Sequence, residues 1–138
     1  MKRNFKIYEL VDRETYETFG LHAWRFIDKD LINVLDFIRN SLDRKITINN
    51  WYWSGEFEQR GLRTNVSEIV KDKTMKDELY LSAHVLGKAA DFDVEGMSAE
   101  EVRKWLSENK LPVNVRVENS VNWVHLDTID MGGFYVFG

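Results

Sequence analysis

The sequence predicts one α+β domain spanning residues 1–138, an antiparallel sheet with helices packed on it. Three observations predict it. Leu31, Val34, Leu35, Ile38 and Leu42 recur at three- and four-residue intervals, the spacing of one helix face. Ala89 to Val94, imperfectly, and Trp123 to Thr128, more cleanly, alternate apolar with polar residues, as half-buried strands do. The chain is long enough to bury one core without staples, and it has no cysteine from which to make disulfides.

Each element has a local reason. Asp12 to Gly20 reads as a short helix: Asp12 caps the first turn, Val11 and Tyr16 sit in staple positions, and Gly20 lies just past the end. His22 follows at a spacing that fits no ligand pattern and is read as a structural histidine. The longest helix is expected from about Lys29 to Asp43, capped by Asp28, with its apolar stripe facing the core. Ile46-Thr47-Ile48 alternates as a strand and leads to Asn49-Asn50-Trp51-Tyr52-Trp53-Ser54-Gly55. Thr64 to Glu78 is polar and weakly periodic, and reads as a loop with one helical turn that rims a cleft, before Leu79-Tyr80-Leu81. Ser98-Ala99-Glu100-Glu101 is a capping box with Met97 and Val102 as its staple, so a helix should run from Ala99 to about Asn109 with Val102, Trp105 and Leu106 buried. Pro112 ends it. Val113 to Glu118 reads as a strand, Asn119-Ser120 as a turn, and the Trp123 strand as its return partner. Gly132-Gly133 turns the chain into a last strand, Phe134 to Phe137, that closes the sheet.

Composition narrows the function classes. The 19 basic and 23 acidic residues give a formal charge of -4, which offers no electrostatic attraction for nucleic acid or for an anionic membrane. The sequence does not fix the oligomeric state; a monomer is the default reading. Met1-Lys2-Arg3-Asn4-Phe5-Lys6 is basic but no apolar run follows, so neither a signal peptide nor a transmembrane segment is expected. The reading is a protein made in the cytoplasm.

The chemistry concentrates in two segments. Of three histidines, His84 and His125 lie in short, mostly apolar runs. Catalytic zinc typically takes three protein ligands and leaves a fourth position open, and without cysteine only nitrogen and oxygen donors remain. Gly87 argues for a bend after His84, and beyond it Asp91 and Asp93 share one strand face. His125 and Asp127 share a face with Trp123. A histidine and a carboxylate from each segment could therefore converge. For either residue alone, a buried His84 hydrogen-bonded in a turn and an Asp91 in a surface ion pair are the competing account.

Ser82, His84, Gly87, Ala89 and Asp91 match the S-x-H-x-x-G-x-A-x-D signature of zinc D-Ala-D-Ala carboxypeptidases and related murein peptidases, whose fold is shared with the hedgehog signalling domain. Trp123-Val124-His125-Leu126-Asp127 resembles the W-V-H-x-D ending of the small, often phage- or prophage-encoded branch. The likeness runs from roughly Ile46 to Asp127. It implies a hedgehog-type fold, one zinc ion on His84, Asp91 and His125, and hydrolysis of amide bonds in peptidoglycan stem peptides or crosslinks after lysis or separate export. Many relatives carry a glutamate three residues before the last ligand. Here that position is Asn122, and Glu118, on the neighbouring strand, is the candidate base. Arg60, then Arg63, are candidates to grip a substrate carboxylate, because a planar guanidinium donates two parallel hydrogen bonds. Ser82 and Asp127 are expected to support the ligands, and acidification should release the metal. The alternative is a zinc-containing murein-binding or phage structural module without turnover.

Overall fold

The computed structural model describes residues 3–64, 70 and 82–138. A first short turn, α1 (Ile7–Leu10), leads to α2 (Arg13–Phe19), which starts where the Asp12 carboxylate accepts the Thr15 amide at 2.8 Å and stops at Gly20. A 3₁₀ stretch (Gly20–Phe26) connects to α3 (Lys29–Leu42), capped by Asp28 through the Asp30 amide. The apolar stripe behaves as its spacing demands: Leu31, Val34, Leu35 and Ile38 are buried and Leu42 packs at the margin. Each such buried aliphatic side chain is worth ~1.5–3 kcal/mol. The reciprocal bonds between Ser98 and Glu101 open α4 (Ala99–Glu108), which buries Val102 and Leu106 and also the stem of Arg103. Trp105 is only partly buried, its ring 6.3 Å from that of Phe37 on α3.

Five strands, β1 (Ile46–Thr47), β2 (Ala89–Val94), β3 (Arg116–Glu118), β4 (Val124–Asp127) and β5 (Tyr135–Phe137), form one sheet in the order β1-β2-β4-β3-β5. The sheet is mixed, which corrects the expectation of an all-antiparallel one, because β5 runs parallel to β3. The cause is topological. Both edges of β4 are already paired, to β2 and to β3, so the last strand cannot pair with β4 and adds beyond β3, where a strand running opposite to β4 is parallel to β3. β1 and β3 are also shorter than the alternating stretches Ile46 to Ile48 and Val113 to Glu118.

Alternation places the two faces. Ala90, Phe92 and Val94 of β2, Val117 of β3 and Val124 and Leu126 of β4 are buried in a hydrophobic cluster that also takes in α3 and α4. The residues between them in sequence, Asp91 and Asp93, Arg116 and Glu118, His125 and Asp127, occupy the opposite face. The α+β class is therefore observed, in a small single domain. Among the described residues no helix is long and apolar enough to cross a membrane. Of the loop expected from Thr64 to Glu78 only Thr64 and Val70 are described, and Leu79, Tyr80 and Leu81 lie outside the described residues.

Candidate metal centre

Two backbone devices carry His84 and Asp91 to one place. Residues 82 to 88 coil into successive turns, with the Leu86 amide on the Ser82 carbonyl, the Gly87 amide on the His84 carbonyl and the Lys88 amide on the Ala83 carbonyl. Gly87 sits at φ 71, and a Cβ there would lie 2.0 Å from the Phe26 carbonyl oxygen, so the bend admits no side chain. Past this bend the chain enters β2, where the Asp91 amide bonds the Arg60 carbonyl. In the β2/β4 register Asp91 stands directly opposite His125, and such cross-strand partners project on the same face.

One ligand atom from each of His84, Asp91 and His125 lies within 4.8 Å of the others. The side chains are well shielded, with Asp91 13% exposed between two buried imidazoles. The tautomers follow from the partners. His84 Nδ1 lies 2.8 Å from the Gly61 carbonyl oxygen, which can only accept, so Nδ1 donates there and Nε2 is the nitrogen turned to Asp91, 3.3 Å from its Oδ2. His125 lies between two carboxylates, with Nδ1 2.8 Å from Asp91 Oδ1 and Nε2 2.9 Å from Asp127 Oδ2. Without a metal it donates from both nitrogens as an imidazolium. Burial pulls its pKa down, but the hydrogen bonds to Asp127 and Asp91 outweigh burial and lift it from 6.5 to about 9. Burial likewise raises the Asp91 carboxyl, and the hydrogen bonds from His125 and His84 reverse that, leaving it at about 2.

A cation fits this arrangement by replacing one proton. The His125 Nδ1 proton sits where the donors converge, so the ligand atoms would be His84 Nε2, a carboxylate oxygen of Asp91 and His125 Nδ1. Gly61 then holds His84 by its other nitrogen, and Asp127 holds His125 by its own, the outer hydrogen bonds that metal-bound imidazoles ordinarily make. Asp127 is fully buried and receives Arg116 Nε and Nη2 at 2.9 Å each. Burial raises the Asp127 carboxyl, and His125 and Arg116 together bring it below its ordinary value.

No family model, curated protein or solved structure matches the chain.

The other expected residues divide. The cavity around the histidines, about 450 Å³, is lined also by Ser82, Arg63, Glu118, Trp123 and Phe137. Glu118 makes no ion pair among the described residues, and Arg116, two residues before it on β3, is committed to Asp127. Arg63 reaches this cavity while its Nε donates to the Gln59 carbonyl at 2.9 Å. Arg60 does not line it: its Nη1 donates to Asp93 Oδ2 at 2.9 Å and its guanidinium lies 4.1 Å from the Phe57 ring centre. Ser82 Oγ accepts the Val85 amide at 3.4 Å and so braces the turn holding His84. Asn122 is exposed beside a different cavity. His22 is exposed as well, on the outer side of the 3₁₀ stretch, and is not part of the ligand group. Sequence reasoning misses Arg116 as a member of the site. Its position two residues before Glu118 on an alternating strand is the available signal, since it puts both on the ligand face.

Proposed function

We propose that this chain is a zinc-dependent peptidase that hydrolyses amide bonds in peptidoglycan stem peptides or crosslinks. One observation carries the reading: a His, Asp, His donor set lines one cavity with Glu118, a carboxylate that has no ion-pair partner among the described residues. Two imidazole nitrogens with one oxygen suit zinc or a neighbouring transition metal, whereas calcium and magnesium favour oxygen ligands throughout. Three protein ligands leave a position open for reaction. The peptidoglycan substrate rests on the likeness of the two motif segments to murein peptidases.

When bound, zinc supplies Lewis acidity, polarising a carbonyl oxygen and acidifying water. Glu118 takes a proton from the attacking water as oxygen bonds to the scissile carbon, and delivers it to the amine nitrogen as the C–N bond breaks. Arg63 holds a peptide carboxylate from the cavity wall. Trp123 and Phe137 supply apolar walls beside the histidines.

Digestion of defined muropeptides by the zinc-loaded protein, with products weighed by mass spectrometry, tests this. Glu118→Ala should lower turnover about 10²–10⁴-fold with zinc content unchanged at one ion per chain, whereas His125→Ala should lose the metal itself. Undiminished turnover in Glu118→Ala would remove Glu118 from the mechanism. If the parent is inert but binds muropeptides, the chain is a binding module.

A further inference from the structure

At the β1 end of the molecule five aromatic rings gather, running from the buried Trp51 out to the surface. Trp51 is anchored, its indole Nε1 donating to the Val11 carbonyl at 2.7 Å. Tyr8 and Tyr52 stack with centroids 3.8 Å apart, and Tyr16 meets both edge-on. Trp53 stands nearly perpendicular to Tyr8 and Tyr52, at 5.4 and 6.0 Å, yet is 58% exposed. A large ring held by two others while open to water is preorganised, and folding alone gains little from it.

Beside Trp53 lies a cavity of about 340 Å³ that also presents Glu9, Lys45, Thr47 and Asn50. Asn50 is fixed: its Oδ1 accepts the Phe57 amide at 2.8 Å, and its carboxamide folds over Gly55, where a Cβ would come within 2.1 Å of it. Its Nδ2 has no acceptor among the described residues. One flat apolar face bordered by amide, hydroxyl, ammonium and carboxylate groups does not suit the apolar anchor of a protein partner, which needs a dry pocket. It suits a pyranose, which has a C–H face and a rim of hydroxyls, in a cavity of small-ligand size.

We propose that Trp53 and Asn50 form a binding site for a pyranose of an N-acetylated glycan. The ring would lie on Trp53, with the acetamido carbonyl accepting from Asn50 Nδ2. The pyranose assignment stands on this surface alone. The choice of an acetylated sugar rests on the peptidase reading, because the glycan of peptidoglycan carries such sugars. The location agrees with a joint ligand. Thr47 pairs with Asp93 across β1 and β2, so it shares the sheet face of Asp91, and Asn49 and Arg60 link the two cavities through hydrogen bonds of 2.9 and 2.6 Å. A peptide at the metal centre and its attached sugar could then occupy both.

The test is an NMR-monitored titration of the full chain with chitotetraose. The parent should saturate, Trp53→Ala should bind at least tenfold more weakly, and Trp53→Phe should recover part of the loss. His125→Ala should bind as the parent does, which separates this site from the metal centre: inert muropeptide digestion with intact sugar binding defeats only the peptidase reading. Absence of saturable binding by the folded parent would overturn the proposal. So would Trp53→Ala binding within threefold of parent. A parent that sediments as a dimer and shows no sugar affinity, with Trp53→Ala sedimenting as a monomer, would overturn it too, by making the patch a self-association surface.

Discussion

Two arginine–aspartate pairs stand on the same face of the sheet, each with a phenylalanine ring beneath the guanidinium. Arg116 meets Asp127 and lies 4.5 Å from the Phe137 ring centre; Arg60 meets Asp93 and lies 4.1 Å from that of Phe57. The residue types match, but the surroundings differ. Asp127 is fully buried, takes two bonds from Arg116, and passes its charge to His125. Asp93 is 50% exposed, takes one bond from Arg60, and contacts no candidate ligand. Residue chemistry alone therefore does not assign a role: the paired charge matters to the site only where it is dry and attached to a ligand.

The largest expected difference comes from removing the two aspartates in turn. Asp127→Ala leaves Arg116 without its partner and His125 Nε2 without an acceptor, and breaking a buried pair costs about 3–5 kcal/mol. Zinc affinity should fall about 10–100-fold, as when an outer-shell partner is lost. Asp93→Ala should cost under ~1 kcal/mol and leave zinc affinity at the parent value. Calorimetric zinc titrations beside denaturant melts of both variants measure this, and equal losses would erase the distinction.

Protonation provides the next largest contrast, because His125 titrates with the buried pair and nothing comparable depends on Asp93. In the metal-free protein the folded-state pKa of His125 lies at about 9, above the ordinary 6.5. Its stabilisation is complete below about pH 6.5 and is lost as pH rises through 9. Asp91 has the opposite sign: its folded value of about 2 means stabilisation present above about pH 4 and lost as pH falls. The chelated protein should therefore be most stable between those limits. Zinc must displace the His125 proton, so its apparent affinity should rise about tenfold per pH unit up to 9 and fall on acidification. Titration in buffers of different ionisation enthalpy should register about one proton released near pH 7. Pairing Asp127→Ala with these titrations sharpens the point, since removing one of the two carboxylates should lower the His125 pKa.

Three helix starts and the two segments that carry His84, Asp91 and His125 were legible in the sequence because their information is local, while the choice of Asp91 over Asp93 came from the likeness to murein peptidases. Asp12, Asp28 and the Ser98/Glu101 box announce helix starts through bonds spanning two or three residues. His84, Gly87 and Asp91 belong to one turn and one strand, and the two-residue period places His125 and Asp127 together. Long-range pairing was less legible. Nothing near Tyr135 says that it will find Arg116 in a parallel register, because that follows from both edges of β4 being filled. Arg60 was the first candidate by sequence and Arg63 the second, and the packed structure reverses the order, sending Arg60 to Asp93 and Arg63 to the cavity. The exposure of Trp53 was equally hidden, since Trp51-Tyr52-Trp53 reads as three apolar residues and only the 3₁₀ turn buries the first and presents the last.

The smallest expected effect is that of the Arg60 side chain, and it tests the comparison most finely. Arg60 holds the Asp91 amide through its backbone carbonyl, a bond that Arg60→Ala preserves. What is removed is one hydrogen bond to a half-exposed carboxylate and a contact between the mostly buried Arg60 side chain and Phe57, whose cation–π part is worth ~0.5–2 kcal/mol. A double-mutant cycle over Arg60→Ala and Asp93→Ala should therefore give a coupling of about 0.2–1 kcal/mol, shrinking as salt is added. The same cycle over Arg116→Ala and Asp127→Ala should give a larger and less salt-sensitive coupling, because the Asp127 carboxylate is fully buried and such a charge is screened much less. Similar, salt-sensitive couplings for both pairs would mean that water reaches Asp127, and that the support it gives His125 is no stronger than a surface ion pair.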